Sequence, residues 1–561
     1  LRRPPTTLIE ALEQGARDGA PLITLHGGGE PRRYTARDAL LDARGWAACF
    51  AEHARASEPI AILLPSSTDF VGALLGAMAM GCPPLPLAAP MTFGPVDRYV
   101  AHLARILDHA GARVVVTTHR VADALAKLPI ARTLAAVLVP GRVSAPANAP
   151  WLPSLASSDT ALLQYTSGTT GRPKGARISH RALGCNAAAI ADALSLGSRD
   201  VGVSWLPLHH DMGLVGALLT AVAFPYELHL LPPEAFVIRP RRWLELVHTH
   251  RATVSTAPNF AYDLTARKAS AEGLDLSSWR AALDGAEPVH AATLARFADR
   301  FASAGFSRNA LTPVYGLAEA TLAVTFHPSG REVDVLEVDR AFLETGGRAL
   351  PASGERARAL VGIGSPVAST AVRITRADGS GCSSGEVGEI LVRGPGLMDG
   401  YHRDEDASAR ALVDGWLHTG DLGLVARDRL FVTGRRRELI IQAGRNVHPE
   451  DVEHVARETD ARIGAAAALS ITAPSRGTDE LVLVLEARGI DASEREEVAA
   501  RVRGEVLAAI GIRADDVAFW PLGAIPRTTS GKVQRGACAV AYERRRAEQT
   551  GREEDTCSAR S

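Results

Sequence analysis

The sequence is poor in cysteine, in net charge and in long apolar runs, and each shortage removes a class of protein. Six cysteines, Cys49, Cys82, Cys185, Cys382, Cys538 and Cys557, are scattered through 561 residues. They show no Cys-x-x-Cys pair and no density that would make a disulfide framework. A reducing, cytoplasmic setting fits them. A formal net charge of -1 leaves no basic field to gather nucleic acid and none to hold the chain on an acidic membrane. No uncharged apolar run reaches the roughly eighteen residues of a spanning helix. The opening Leu1-Arg2-Arg3-Pro4-Pro5 lacks a secretory apolar core, so stable membrane insertion is not expected. No segment repeats another. The remaining composition, 46% hydrophobic and 22% charged, is that of an ordinary globular protein, and the length calls for roughly three or four folding units of about 150 residues.

Short buried-strand patterns at Pro59 to Leu64, Arg113 to Thr117 and Ala136 to Val139 alternate with helix-like runs at Asp69 to Met80 and Val121 to Leu128. That alternation predicts a layered α/β domain with a largely parallel sheet. A strand at Ala161 to Gln164 precedes a glycine-rich stretch, and a helix over Arg181 to Leu194 follows it. Ligands of such sheets bind at the carboxyl ends of strands, where this stretch is expected to sit. Gly385 to Gly394 reads as a strand of a small β-subdomain. After Gly434 a smaller α+β unit begins. It carries a strand at Glu480 to Glu486 and a helix opened by a Ser493/Glu496 capping box, striped by Val498, Val502, Val506 and Ile510 and stopped at Gly511. The charged tail from Arg544 is expected to be disordered.

The most informative segment is Leu162 to Gly175, an apolar run that breaks into Thr166-Ser167-Gly168-Thr169-Thr170-Gly171 and closes on Lys174. Glycines let the backbone approach an anion and turn its N–H groups toward it, hydroxyls add donors, and a lysine balances charge. The order is wrong for the common nucleoside-triphosphate loop, which closes on Gly-Lys-Ser/Thr. Standing alone, the stretch reads equally as an exposed surface loop.

Five further segments accompany it in order: Ser204 to Leu214 with His209-His210-Asp211; Asp284-Gly285-Ala286-Glu287-Pro288; Tyr315-Gly316-Leu317-Ala318-Glu319-Ala320-Thr321; Thr419-Gly420-Asp421-Leu422-Gly423 with Gly434-Arg435; and Pro526 to Lys532. Together they resemble the adenylate-forming superfamily of acyl-CoA synthetases, luciferases and nonribosomal adenylation domains. Trp205 to Leu214, Ala257 to Tyr262 and Tyr315 to Leu322 are most similar to fatty acyl-AMP ligases. The resemblance implies an α/β protein: a large N-terminal adenylate-forming fold of several subdomains, layered α/β plus a small β-subdomain, with a smaller mobile α+β C-terminal domain. The implied boundaries are 1–434, with an insertion about 328–361 and a β-subdomain about 362–433, a hinge at 435–437, the mobile domain at 438–545 and a disordered tail at 546–561.

The resemblance also implies ATP and Mg²⁺ as cofactors, a fatty acid as substrate, and residue roles. Thr166, Ser167, Gly168, Thr169, Thr170, Gly171 and Lys174 would hold the phosphates. Glu319 would take the metal, since a carboxylate plus phosphate oxygens suits Mg²⁺. Gly285, Ala286, Glu287, Tyr315 and Gly316 would receive adenine, with Asp421 and Arg435 on the ribose, because an ionised carboxylate can accept two hydroxyl hydrogen bonds. Lys532 would reach the α-phosphate and the attacking carboxylate, His210 would gate the acyl tunnel, Arg437 would be the hinge pivot, and Gly444 would lie near the thiol tunnel. Each residue has a plainer reading by itself: a helix-surface charge for Glu319, a turn aspartate for Asp421, a solvated arginine for Arg435, a core tyrosine for Tyr315.

The apolar run Val215-Gly216-Ala217-Leu218-Leu219 and Ala221 to Phe224 is expected to wall an acyl tunnel, a core helix being the other reading of the same pattern. The segment between Phe326 and Gly362 is longer than acyl-CoA synthetases carry and resembles the fatty acyl-AMP ligase insertion. Gly362-Ile363-Gly364 departs from the Ser-Cys-Gly expected there. No Gly-x-Asp-Ser-Leu attachment sequence occurs, so the expected acceptor is an acyl carrier protein in trans. Two alternatives stand beside this reading: a long-chain acyl-CoA synthetase, and a catalytically silent acyl- or nucleotide-binding regulator.

Overall fold

The computed structural model describes residues 1–558 apart from 28, 90–95, 142–154, 167–173, 340–342, 344–346, 355–356, 437–439, 443–444, 474–477, 511 and 528–530. Among the described residues, nine strands form the largest sheet. Its middle is parallel, in the spatial order Leu311–Gly316, Ala281–Asp284, Val254–Ala257, Val201–Ser204, Glu227–Leu230, Pro21–Leu25. A second, wholly parallel sheet holds Pro84–Pro86, Ile60–Leu63, Val114–Thr117 and Ala136–Leu138. One apolar core joins both sheets to the intervening helices, through Ile23, Trp46, Ile62, Phe70, Leu74 and Leu183.

The helix Thr68–Ala79 shows how sequence sets that packing. The Ser67 hydroxyl caps its start by accepting from the Phe70 N–H. Gly76 lets the helix Ala36–Ala51 come close, because a Cβ there would stand 2.7 Å from the Ala43 carbonyl oxygen and 2.8 Å from Trp46 Cβ.

Because the central strands run parallel, their carboxyl ends share one edge. Four of the expected site segments emerge there: Trp205 to Leu214 after Val201–Ser204, Asn259 and Phe260 after Val254–Ala257, Gly285 to Glu287 after Ala281–Asp284, and Leu317 to Thr321 after Leu311–Gly316. The glycine-rich stretch does not share this origin. Its strand Thr160–Thr166 pairs antiparallel with Lys174–Ser179 as a hairpin, Thr166 opposite Lys174, and the Tyr165 ring lies across Gly175 where a Cβ would collide with it. The β-subdomain is a five-stranded sheet that includes Gly388–Arg393, Trp416–Ala426 and Arg429–Arg435. The smaller C-terminal unit packs helices Pro449–Thr459, Arg495–Ile510 and Arg535–Ser558 on the strands Ile463–Ala473, Thr478–Ala487 and Asp516–Trp520.

Three local expectations need correction. The helix expected at Ser493 begins at Arg495, and the reciprocal bond is made two residues earlier, where the Asp491 N–H donates to Glu494; Glu496 instead accepts from Arg503. The stripe Val498, Val502, Val506 and Ile510 is buried as expected, and Gly511 lies outside the described residues. The tail expected to be irregular is helical to Ser558. Its arginines and glutamates, with Ala547 and Gln549, are strong helix formers, and an Arg544–Glu548 pair one turn apart adds support. The third concerns the apolar run after His210. Met212–Leu219 is a π-helix in which Val215, Leu218 and Leu219 are fully buried core, as are Ala221 and Val222 beyond it. Of this helix, Met212, Gly216 and Ala217 line the cleft. An all-round apolar helix does not say which of its faces meets a cavity.

Leu218→Ala is therefore expected to cost about 2–5 kcal/mol of stability, read as a lower urea midpoint at unchanged m. A loss below about 1 kcal/mol would show that the side chain is not core.

Candidate active site

The strand ends, the β-subdomain and the C-terminal unit enclose one cleft of about 2650 Å³. At its centre Asp421, 4% exposed, holds two donors: the Tyr315 hydroxyl at 2.7 Å and Arg435 Nε at 2.8 Å. The Thr419 hydroxyl fixes the turn by accepting from the Asp421 N–H at 3.0 Å. Burial, then the charge and hydrogen bond of Asp421, push the Tyr315 phenol well above its ordinary value, so it remains a donor. One aromatic face, one carboxylate and one guanidinium are thus locked together from three elements.

Gly285 and Gly316 hold the backbone beside that face. A Cβ at Gly285 would lie 2.6 Å from Val314 Cγ2, and one at Gly316 would fall 1.9 Å from the Leu322 carbonyl oxygen. Ala286 takes a left-handed φ of 68° and Thr321 one of 66°. A β-branched residue there is strained, and such strain collects where function constrains the chain. The turn between them carries Glu319, whose Oε1 accepts from the Tyr401 hydroxyl at 2.9 Å. Lys174 Nζ sits 4.9 Å from the centroid of the same Tyr401 ring. Lys174 and Glu319, a cation and a metal-type oxygen donor, therefore flank one aromatic residue.

On the opposite wall His210 Nδ1 lies 2.9 Å from Asp211 Oδ1. Burial works against the Asp211 carboxylate, but the charge and hydrogen bond of His210 and the charge of Lys532 prevail and hold its pKa below the ordinary value. His209 is driven down to about 3 by burial and by His210, so it is neutral. Its carbonyl oxygen accepts from Gln164 at 3.1 Å, tying this wall to the hairpin.

Lys532 comes from the C-terminal unit, beside Gly531 with its φ of 88°. The lysine still meets solvent at the cleft mouth while protein surrounds it. That crowding, with Arg435 nearby, lowers its pKa against the opposing pull of Asp211, Asp421 and Glu287. The Glu287 carboxyl is raised by burial, although it accepts the Phe260 N–H and feels Arg457, Lys532 and Arg527. Behind it Asp284 is fully buried; one oxygen accepts from Asn259 at 2.7 Å, and the other finds no hydrogen-bond partner among the described residues.

Most of the expected site residues therefore converge: Lys174, His210, Gly285, Ala286, Glu287, Tyr315, Gly316, Glu319, Asp421, Arg435 and Lys532. Thr166 ends the hairpin strand, while Ser167, Gly168, Thr169, Thr170, Gly171, Arg437 and Gly444 lie outside the described residues. Sequence reasoning assigned no role to Asp211 or Tyr401. Asp211 was readable as a carboxylate inside His209-His210-Asp211; Tyr401 had only the weak signal of an aromatic after the glycine-rich 394–400 segment.

The cleft is also lined by Ile190, Leu194, Gly216, Ala217, Leu228 and Leu322. No described helix is long and apolar enough to cross a membrane.

Residues 12–402 match the AMP-binding enzyme family. The chain is 34% identical to a putative acyl-CoA synthetase of Caulobacter vibrioides, over 87% of this chain and 86% of that one. It is 34% identical to the long-chain-fatty-acid--AMP ligase FadD32 of Mycolicibacterium smegmatis, over 92% and 89%. Its fold superposes with a TM-score of 0.89, at 32% identity and over 97% and 99% of the two chains, on a structure from work on fatty acyl-adenylate ligases of E. coli and L. pneumophila. The sheet, the cleft and these likenesses agree, and the chain belongs to the AMP-binding enzyme family.

Proposed function

We propose that the protein activates a medium- or long-chain fatty acid with ATP and Mg²⁺ and then passes the acyl group to the phosphopantetheine thiol of an acyl carrier protein on a separate chain. The observation that carries this reading is Lys532 within the influence of Asp211, Asp421 and Glu287, in a cleft whose lining also includes His210 and the apolar Ile190, Leu194, Leu228 and Leu322. In the first half-reaction a carboxylate oxygen attacks the α-phosphorus, the bond to the β-phosphate breaks, and pyrophosphate leaves. Two anions must meet, so oriented cations dominate the barrier. Lys532 neutralises the attacking carboxylate and the α-phosphate, and Lys174, with residues 166–171, holds the departing phosphates. Tyr315 stacks on adenine beside Gly285, Ala286 and Gly316, and Asp421 and Arg435 hold the ribose. In the second half-reaction the thiol sulfur attacks the acyl carbonyl, AMP leaves, and the thiol proton passes to solvent.

Glu319 suits the metal because its oxygen is fixed by Tyr401 beside the Lys174 ammonium, where phosphate oxygens would supply the other ligands. Bound there, Mg²⁺ would neutralise phosphate charge. His210 stands between the tunnel and the phosphates. Domain 1–434 and domain 438–545 turn about 435–437, with Arg437 as pivot, so that the second half-reaction brings Gly444 toward the thiol path.

The insertion supports a carrier-protein acceptor over free CoA. Its strand Ala357–Val361 carries Arg358, whose Nε lies 3.1 Å from Asp451 of the C-terminal unit and whose Nη2 donates to the Thr433 carbonyl at 3.0 Å. Both ends of the ion pair are nearly buried, with side-chain exposures of 11% and 14%. A restraint of this kind acts on the populations of domain poses and leaves the phosphate chemistry alone.

Lys532→Ala is expected to lower adenylation about 10²- to 10³-fold while ATP binding and transfer from supplied acyl-adenylate persist, measured by pyrophosphate release and single-turnover transfer. Since the ammonium must be charged and its pKa is lowered, adenylation should fall at a pH below the ordinary lysine range, and Lys532→Arg should abolish that alkaline limb. Near-normal acyl-adenylate formation by the alanine variant would reject the role.

Chain-length preference tests the tunnel. C8 to C16 acids should outcompete acetate in kcat/KM, each buried methylene adding about 0.8 kcal/mol. Ala217→Phe, which puts a ring on the cleft wall, should shift the optimum to shorter acids; an unchanged profile would contradict the tunnel.

For the acceptor, the intact enzyme should accumulate acyl-AMP with CoA and discharge it onto a carrier protein. Arg358→Ala should raise acyl-CoA formation with little change in pyrophosphate release. Efficient acyl-CoA synthesis by the intact protein, unaltered by the substitution, would instead make it an acyl-CoA synthetase.

A further inference from the structure

Outside the cleft's lining, three histidines from separate elements meet at one end of the large sheet. His26 follows the strand Pro21–Leu25, His229 lies within Glu227–Leu230, and His250 ends the helix Arg241–Thr249. Their offered nitrogens all lie within 4.8 Å of one another. His26 Nε2 is 2.8 Å from His229 Nδ1, and the His229 and His250 rings stack with centroids 3.8 Å apart. Glu227 adds a carboxylate from the same strand face as His229. Its Oε1 lies 3.1 Å from His229 Nε2 yet out of line for a hydrogen bond, so that buried nitrogen has no hydrogen-bond partner among the described residues.

We propose that His229 through Nε2, His250 and Glu227 form a site for a divalent transition metal of the zinc class, with His26 orienting the His229 ring through Nδ1, so that the ion clips the first strand and the helix Arg241–Thr249 to the large sheet.

The chemistry and the distances suit it. Imidazole nitrogen and carboxylate oxygen are zinc ligands, and bonds of about 2.0–2.1 Å in a tetrahedron set ligand atoms about 3.3 Å apart. The 3.1 Å between His229 Nε2 and Glu227 Oε1 lies close to that spacing, while His26 Nε2, 2.8 Å from the other His229 nitrogen, is placed to accept from Nδ1–H and orient the ring. The remaining closure falls to His250, partly exposed at a helix end and able to change rotamer. Glu227, with 37% of its side chain exposed, leaves an entry path from solvent.

Every charged group that faces the cluster must be counted. Glu227 favours a cation, whereas Arg33 and Arg242 oppose one. Burial, with the neighbouring histidines and arginines, brings His26 down to about 4 and His229 to about 3, and burial also lowers His250. At neutral pH the rings therefore keep the unprotonated nitrogens that a metal requires. A plain imidazole stack, held by one hydrogen bond, is the competing account, and it leaves His229 Nε2 unsatisfied.

The test uses the full chain with any affinity tag removed and chelated metal dialysed away, titrated with zinc alone. One zinc per chain is expected by elemental analysis, with a thermal midpoint that rises with zinc concentration. Cobalt(II) in its place should give the visible absorption of a four-coordinate nitrogen and oxygen site. His250→Ala and Glu227→Gln should each weaken zinc binding by more than about tenfold and remove the thermal shift while adenylation stays unchanged. Both positions are partly exposed, so folding should survive even if His229→Ala is unstable. Failure of the intact protein to take up zinc, or the same stoichiometry and affinity in both variants, would overturn the site and leave the imidazole stack.

Discussion

A single ammonium among three carboxylates is the constraint on which the rest of this structure depends. Lys532 is the lysine that the C-terminal unit brings to the cleft, and the charges of Asp211, Asp421 and Glu287 act on it from the strand ends and the β-subdomain. Without a substrate's anionic groups, these carboxylates are what keeps a crowded lysine tolerable; burial and Arg435 alone would favour its neutral form. Binding of an anionic substrate would exchange one set of negative partners for another. The proposed chemistry uses that exchange, since a charge already held among fixed carboxylates needs little reorganisation when negative charge develops before it.

The geometry that permits this comes from parallel strands. Their shared direction delivers His210, Glu287 and Glu319 to one edge from loops far apart in sequence, in keeping with the general place of ligands in open α/β sheets. Asp421 then closes the arrangement by binding both Tyr315 and Arg435, so the β-subdomain cannot shift without disturbing the aromatic face. Positive φ at Ala286 and Thr321 marks where the backbone yields to that demand.

Much of this was legible in the sequence because it rests on local pattern. The layered α/β order followed from periodicity, and the convergence of Lys174, Tyr315, Glu319, Asp421 and Lys532 from the resemblance of the short motifs that carry them to those of adenylate-forming enzymes. What was hidden depends on tertiary pairing. Thr160–Thr166 has the apolar character of a parallel-sheet strand, yet it pairs with Lys174–Ser179 as a hairpin, since a strand's burial does not name its partner. Leu218 and Ala217 are neighbours in one apolar run, and the structure alone puts the first in the core and the second on the cleft. Tyr401 and Asp211 acquire meaning only beside Glu319 and His210. The charged tail was misjudged because charge density alone does not say whether the residues that carry it are helix formers.

The contacts between the two units suggest how one cleft could serve two half-reactions. Arg267 and Arg296 both reach Glu458, but these groups are 36–44% exposed, and such pairs contribute only about 0–1 kcal/mol each. Such pairs offer little resistance to the proposed turning of the C-terminal unit. Arg358 with Asp451 is different, because each is almost enclosed. Separating them exposes two charges that must be solvated again or left unpaired, and leaving one buried partner without its mate costs about 3–5 kcal/mol. Arg358 belongs to the strand Ala357–Val361, so the proposed rotation is opposed in part by a segment separate from the Lys532, Asp421 and Tyr315 cluster. Phosphate chemistry and acceptor choice then reside in different residues, so one can change without the other.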